Sequence, residues 1–134
     1  MTDIRADAFL ALLAHHARIV IIGGPLTGKT TLAKLVKDRI VLHTDGFSHH
    51  AWEDIPRLVI AHCAKHERFV LDGCVQAARA LRKGLSVDAV VYLDEPMQTR
   101  SKHQIAAAKS VGTIFSDWRA LDMLTPVHSL DIIQ

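Results

Sequence analysis

Cysteine is scarce in this chain: Cys63 and Cys74 are the two among 134 residues. That pair has neither the density of a disulfide scaffold nor the spacing of a thiolate metal site, which excludes a small stapled secreted fold. A reducing, cytoplasmic setting is the expectation. An excess of one charge sign is also missing. Sixteen Lys and Arg stand against fourteen Asp and Glu, leaving +2 with the signs interspersed. No clustered basic face for nucleic acid is expected from such a balance. The apolar runs fall far short of the roughly 18 residues that mark a membrane helix. Met1-Thr2-Asp3-Ile4-Arg5 lacks the basic, apolar and small-residue order of a signal peptide. Low-complexity segments and internal repeats are absent.

What is present fits one domain over residues 1–134, within the usual size of about 100–150 residues. Hydrophobic residues make up 49%, high enough to favour a further buried surface, such as a self-association patch or a protein partner's site.

The most informative stretch is Gly23-Gly24-Pro25-Leu26-Thr27-Gly28-Lys29-Thr30-Thr31, which fits G-x-x-x-x-G-K-[ST] at every fixed position. Before it, Arg18-Ile19-Val20-Ile21-Ile22 reads as a buried parallel strand. After it, a helix is expected from Thr31 to near Asp38-Arg39, with Leu32, Leu35 and Val36 on one face. Gly23 and Gly28 are expected at φ > 0, so that several N–H groups converge on a phosphate. The helix start adds positive charge aimed at the same anion. Lys29 then reaches the β- and γ-phosphates, and the Thr30 hydroxyl sits on Mg²⁺.

The rest of the chain alternates strands and helices. Residues 3–16 read as an amphipathic helix capped by Asp3, with Ile4, Ala8 and Leu12 in one row and Phe9 and Leu13 beside it. Residues 40–44 form a second strand, ending at Asp45-Gly46-Phe47. Ligands of open parallel sheets bind beyond the strands' carboxyl ends, which sets Asp45 beside Lys29 as general base, substrate ligand or simple turn cap. A polar stretch with His49, His50 and Trp52, placed where an acceptor could be held or simply an exposed loop, leads to a helix capped by Asp54, starting at Pro56 and running to about His66. His62 and His66 stand four apart, but HExxH is absent and a solvated face accounts for them. Residues 68–72 are a third strand whose Asp72 has the Walker B place, holding Mg²⁺ directly or through water. A short helix over residues 75–81 ends in Arg82-Lys83-Gly84, and its electrostatics accounts for Arg79, Arg82 and Lys83, with phosphate contact as the alternative. Residues 87–93 are a fourth strand. Residues 97–110 read as a polar helix with Arg100, Lys102, His103 and Lys109, residues 111–124 as another with Phe115, Trp118, Leu121 and Leu124 towards the core, and residues 127–133 as a fifth strand. Arg100 and Lys102 are the candidates to stabilise a transferring phosphoryl group, against a solvated helix face.

With those residues in place, the chain resembles the P-loop kinases of the adenylate-kinase-like group. The likeness lies in the glycine loop, the strand-end Asp45 and the Asp72-Gly73 pair. The Thr44-Asp45-Gly46-Phe47 run is similar to that of bacterial pantothenate kinase and its phosphoribulokinase and uridine-kinase relatives. The resemblance implies a three-layer α/β fold with a parallel sheet of about five strands in the order 2-3-1-4-5. It also implies ATP and Mg²⁺, with Asp45 as the base that takes the acceptor's proton. Such kinases are usually longer and carry an arginine-bearing lid, so here residues 97–112 serve as the lid or it is missing. Two readings result. One is a small kinase transferring the γ-phosphoryl group to a hydroxyl of a nucleoside, nucleotide or metabolite; the other is a nucleotide-dependent regulatory module acting through a protein partner.

Overall fold

The computed structural model describes residues 4–130, so Asp3 and residues 131–133 of the expected elements lie outside the described residues. The order is α1 (Ile4–His15), β1 (Arg18–Gly23), α2 (Lys29–Ala33), β2 (Ile40–His43), a 3-10 turn (Thr44–Phe47), α3 (Ile55–Cys63), β3 (Phe69–Gly73), α4 (Val75–Lys83), β4 (Ala89–Leu93), α5 (Lys102–Leu121) and β5 (Val127–Ser129). The strands form one sheet in the order 2-3-1-4-5, and every pairing is parallel. This is the expected three-layer α/β architecture.

Side chains alternate across the strands, so the central ones feed two cores. Val20, Ile22, Leu71 and Val90 pack with the residues of α3, α4 and α5 on one face. Ile19, Ile21, Val70 and Val91 pack with Phe9 and Leu13 of α1 and Leu32 of α2 on the other. Burying each large apolar side chain in this way is worth about 1.5–3 kcal/mol. Cys63 lies in the first core with its thiol pushed up to about 11 by burial, and neither cysteine is in a disulfide.

Three elements differ from their sequence expectations. The buried row of α1 is Arg5, Phe9 and Leu13, while Ile4 is 82% exposed. Phe9 is the largest apolar side chain on the helix, and docking it turns the helix by one residue. The helix after the glycine loop stops at Ala33 instead of near Asp38-Arg39, where the chain tightens through Leu35 N–H to Leu32 O and Val36 N–H to Ala33 O. Arg39 then docks on the end of α1, donating to the carbonyls of Leu13, His16 and Ala17. Finally, α5 is one continuous helix and not two. Ser101 and Gln104 form a capping box that fixes its start, so residues 97–101 are loop. Trp118 is buried as expected, but Leu121, the last residue of α5, and Leu124, in the bend beyond it, are exposed.

The Asp38 carboxylate links Arg39 and Arg68 at 2.7–2.9 Å. Its pKa is held down to about 2, first by the hydrogen bond from Arg39. A depressed carboxylate stabilises the fold above its unfolded pKa and loses that contribution as pH falls from about 4 towards 2. The carboxylate is half exposed, so its contribution stays below about 1 kcal/mol. Melting measured from pH 2.5 upward should show a shallower acid limb in Asp38→Asn than in wild type; superimposable limbs would refute the linkage.

Candidate functional site

β1 delivers the chain into the glycine loop at the carboxyl edge of the sheet. Gly23 does not take the expected positive φ. It needs to lack a side chain because a Cβ would stand 2.8 Å from Thr27 Oγ1 and press on the Leu93 carbonyl. The left-handed positions are Leu26 (φ 65°) and Gly28 (φ 89°). Leu26 therefore carries a strained backbone of the kind found where structure around a site enforces it.

Every carbonyl from residue 24 to residue 28 is taken. Gly24 O accepts from Thr27 Oγ1 at 2.9 Å and Lys29 Nζ at 2.7 Å. Pro25 O accepts from Arg100 Nε at 2.8 Å, and Leu26 O from Met97 N–H at 2.7 Å. Arg5 donates Nη1 to Thr27 O at 3.1 Å and Nη2 to Gly28 O at 2.9 Å. By contrast, the N–H groups of residues 26–31 donate to nothing among the described residues. A loop whose carbonyls are tied back and whose N–H groups are free is a concave anion site. With five residues, α2 adds little macrodipole, so these N–H groups and Lys29 carry the charge.

The carboxylates come from the neighbouring strand ends. Asp72 closes β3 and is buried, and both its oxygens lie 2.8 Å from Nδ1 of His43, its register partner on β2. Burial raises the Asp72 pKa; His43 and Lys29 oppose the rise, and Asp45 adds to it. Asp45 is exposed in the 3-10 turn after β2, close enough to influence Asp72. Gly46 within that turn has no positive φ, so the turn does not require glycine there. Gly73 has a clearer reason: the Thr44 side chain fills the space a Cβ would take. Thr44 and Phe47 are buried, which anchors the turn that presents Asp45.

Arg100 lies in the loop before α5, packed over Gly24, and its Nη2 is buried with no hydrogen-bond partner among the described residues. Lys102, the first residue of α5, is exposed and makes no hydrogen bond or ion pair among the described residues. The Thr30 hydroxyl is also exposed and has no hydrogen-bond partner among the described residues. Thr31 is exposed beside it. Asp54 sits at the cap position of α3, but its side chain caps nothing and meets Arg57 at 3.5 Å. His49 and His50 stack on each other in an exposed loop, and His62 packs edge-on against Phe47. The described residues hold no group of three or more metal-ligating side chains.

The residues fit a nucleotide phosphate and a magnesium ion. The buried Arg100 Nη2 has no hydrogen-bond partner among the described residues, which suits an anion, and the exposed Thr30 hydroxyl suits a hard cation. Asp72 keeps lone pairs beyond those that His43 engages, which suits contact through water.

Sequence reasoning missed Arg5 and His43. Arg5 was hidden by reading α1 for its apolar row alone, although a long cationic side chain three residues from Ala8 and four from Phe9 shares the buried face. His43 was signalled by its place at a strand end beside a strand ending in Asp72. Arg5→Met should leave the Thr27 carbonyl without its donor, while Gly28 O keeps the Leu32 N–H at 3.2 Å, costing about 1–3 kcal/mol where Thr27 O stays buried and weakening nucleotide binding. Melting and nucleotide titration of Arg5→Met and Arg5→Lys check this. Equal stability and affinity in Arg5→Met would remove Arg5 from the loop's support.

Among the described residues no helix is long and apolar enough to cross a membrane. Comparison of the chain with protein-family models, curated proteins and solved structures finds no match in any of the three.

Proposed function

We propose that this chain binds Mg-ATP at residues 23–31 and transfers the γ-phosphoryl group to a hydroxyl of a small molecule in a reducing, cytoplasmic setting. The observation that supports this best is the polarity of the glycine loop: five consecutive carbonyls bound from behind, with the N–H groups of residues 26–31 free. Lys29 leaves Gly24 O to clamp the β- and γ-phosphates. Arg100 turns its free Nη2 towards the charge that builds on the transferring group. Thr30 and, through water, Asp72 would hold a magnesium ion, which would supply charge neutralisation. Asp45 orients the acceptor hydroxyl and takes its proton. Most of this chemistry is positioning and charge stabilisation, which suits a minimal site.

The test is incubation with γ-labelled ATP and Mg²⁺, with and without a small-metabolite extract, followed by separation of labelled products. A labelled species that requires the extract is expected, and its mass identifies the acceptor. Label confined to ATP and free phosphate would overturn transfer in favour of a nucleotide-dependent module that acts through a protein partner or a second copy of the chain.

A further inference from the structure

Away from the glycine loop, the outer layer of helices carries a cleft of about 160 Å³ lined by Glu53, Pro56, Arg79, Arg82 and Lys83. Three cations meet one carboxylate there. Arg79 is fixed in place: Nη1 donates to Trp52 O and to Gln76 Oε1, each at 2.8 Å, and its guanidinium lies 4.5 Å over the Trp52 ring. Burial lowers the Arg79 pKa, Arg82 lowers it further and Glu53 opposes the shift, so like charges gather with incomplete compensation. Arg82 reaches an acid only at 3.5 Å, on Asp117 of α5. Lys83 makes no hydrogen bond or ion pair among the described residues. Basic residues in the last turn of α4 suit that helix end, which accounts for Arg82 and Lys83. It does not account for Arg79, a turn earlier and stacked on an otherwise exposed tryptophan. Pro56 belongs to the first turn of α3, which no side chain caps.

We infer that this cleft binds a phosphate dianion, either free or as the end of a phosphomonoester. Among the lining residues three cations less one carboxylate leave a formal +2, offset in part by Asp117 at 3.5 Å from Arg82, which suits the roughly −1.5 to −2 of a phosphomonoester at neutral pH. A planar guanidinium held against a ring presents its remaining donors in the fork geometry that phosphate oxygens match. At about 160 Å³ the cleft is smaller than the roughly 300–1,000 Å³ of pockets that enclose whole ligands, so it takes one anionic group and leaves the remainder outside. The site stands whether or not the glycine loop binds nucleotide.

The chain has two tryptophans, and Trp118 is buried apart from this cleft, so the Trp52 indole N–H resonance is a specific reporter. The full chain is titrated with inorganic phosphate and with glycerol phosphate at constant ionic strength, using chloride as the control. Phosphate should move the Trp52 resonance saturably. Arg82→Gln combined with Lys83→Gln should weaken binding at least tenfold with the rest of the spectrum unchanged, and Lys29→Ala should leave it as in wild type. Equal affinities assign the site to free phosphate, and tighter binding of glycerol phosphate assigns it to a monoester. A response that chloride reproduces, that survives the double substitution, or that vanishes in Lys29→Ala would overturn the inference.

Discussion

In Lys29→Ala, ATP affinity is expected to fall by roughly two to four orders of magnitude while the melting temperature hardly moves. Lys29 Nζ sits 2.7 Å from Gly24 O and 3.5 Å from Thr27 Oγ1, with no carboxylate in hydrogen-bond reach to hold it back. In the nucleotide complex it would exchange one neutral carbonyl for oxygens of two phosphates. Charge-assisted hydrogen bonds contribute about 1.5–3 kcal/mol each, so losing two gives about 3–6 kcal/mol, the stated loss of affinity. Stability should change little, since Gly24 O keeps Thr27 Oγ1 as a donor. Calorimetric titration with ATP alongside thermal melts decides the matter. Unchanged affinity in a folded Lys29→Ala variant would remove the glycine loop as the nucleotide site.

The residues alone made the layered parallel sheet legible because it rests on backbone-level rules, while its strand order came only from the family resemblance. β-branched runs at regular spacing mark buried strands, and the helical segments between them force parallel crossovers. The glycine loop was legible for a similar reason, since its pattern encodes backbone geometry directly. The pattern still misplaced the strain. Gly23 was assigned φ > 0 because it is glycine, whereas Leu26 takes the left-handed position and Gly23 is needed for close approach to β4. Local composition also misled at α5, where a polar half and an apolar half looked like two helices. The change of polarity falls within one continuous helix and does not break it.

Side chains that reach the site from distant parts of the chain were not legible. Arg5 meets Thr27 and Gly28 across more than twenty residues of sequence, and His43 meets Asp72 across β2 and β3. Such contacts depend on strand register and on how a helix is rotated in its seat, which periodicity fixes only to within a residue or so. Lys102 shows the same limit from the other side. It was grouped with Arg100 by proximity in sequence, yet the cap at Ser101 places one residue in the loop and the other on a solvated helix start.

Asp45→Asn is expected to reduce phosphoryl transfer about 10²–10⁴-fold, the usual contribution of a positioned general base, while ATP affinity stays close to wild type. The substitution keeps the side chain's shape on a turn anchored by buried Thr44 and Phe47, so the site's framework should survive. It also removes a negative charge that raises the Asp72 pKa. Asp72 should therefore ionise at lower pH in the variant, a change visible in carbon-13 spectra of its carboxyl group without any turnover. The two readouts separate the possibilities. If the Asp72 titration shifts but transfer is unchanged, Asp45 lies beside the site without acting as its base. If neither moves, the turn does not bring Asp45 to the phosphate crevice. Loss of transfer together with the Asp72 shift would tie the proton acceptor to the same crevice as Lys29, as the carboxyl edge of β1, β2 and β3 arranges it.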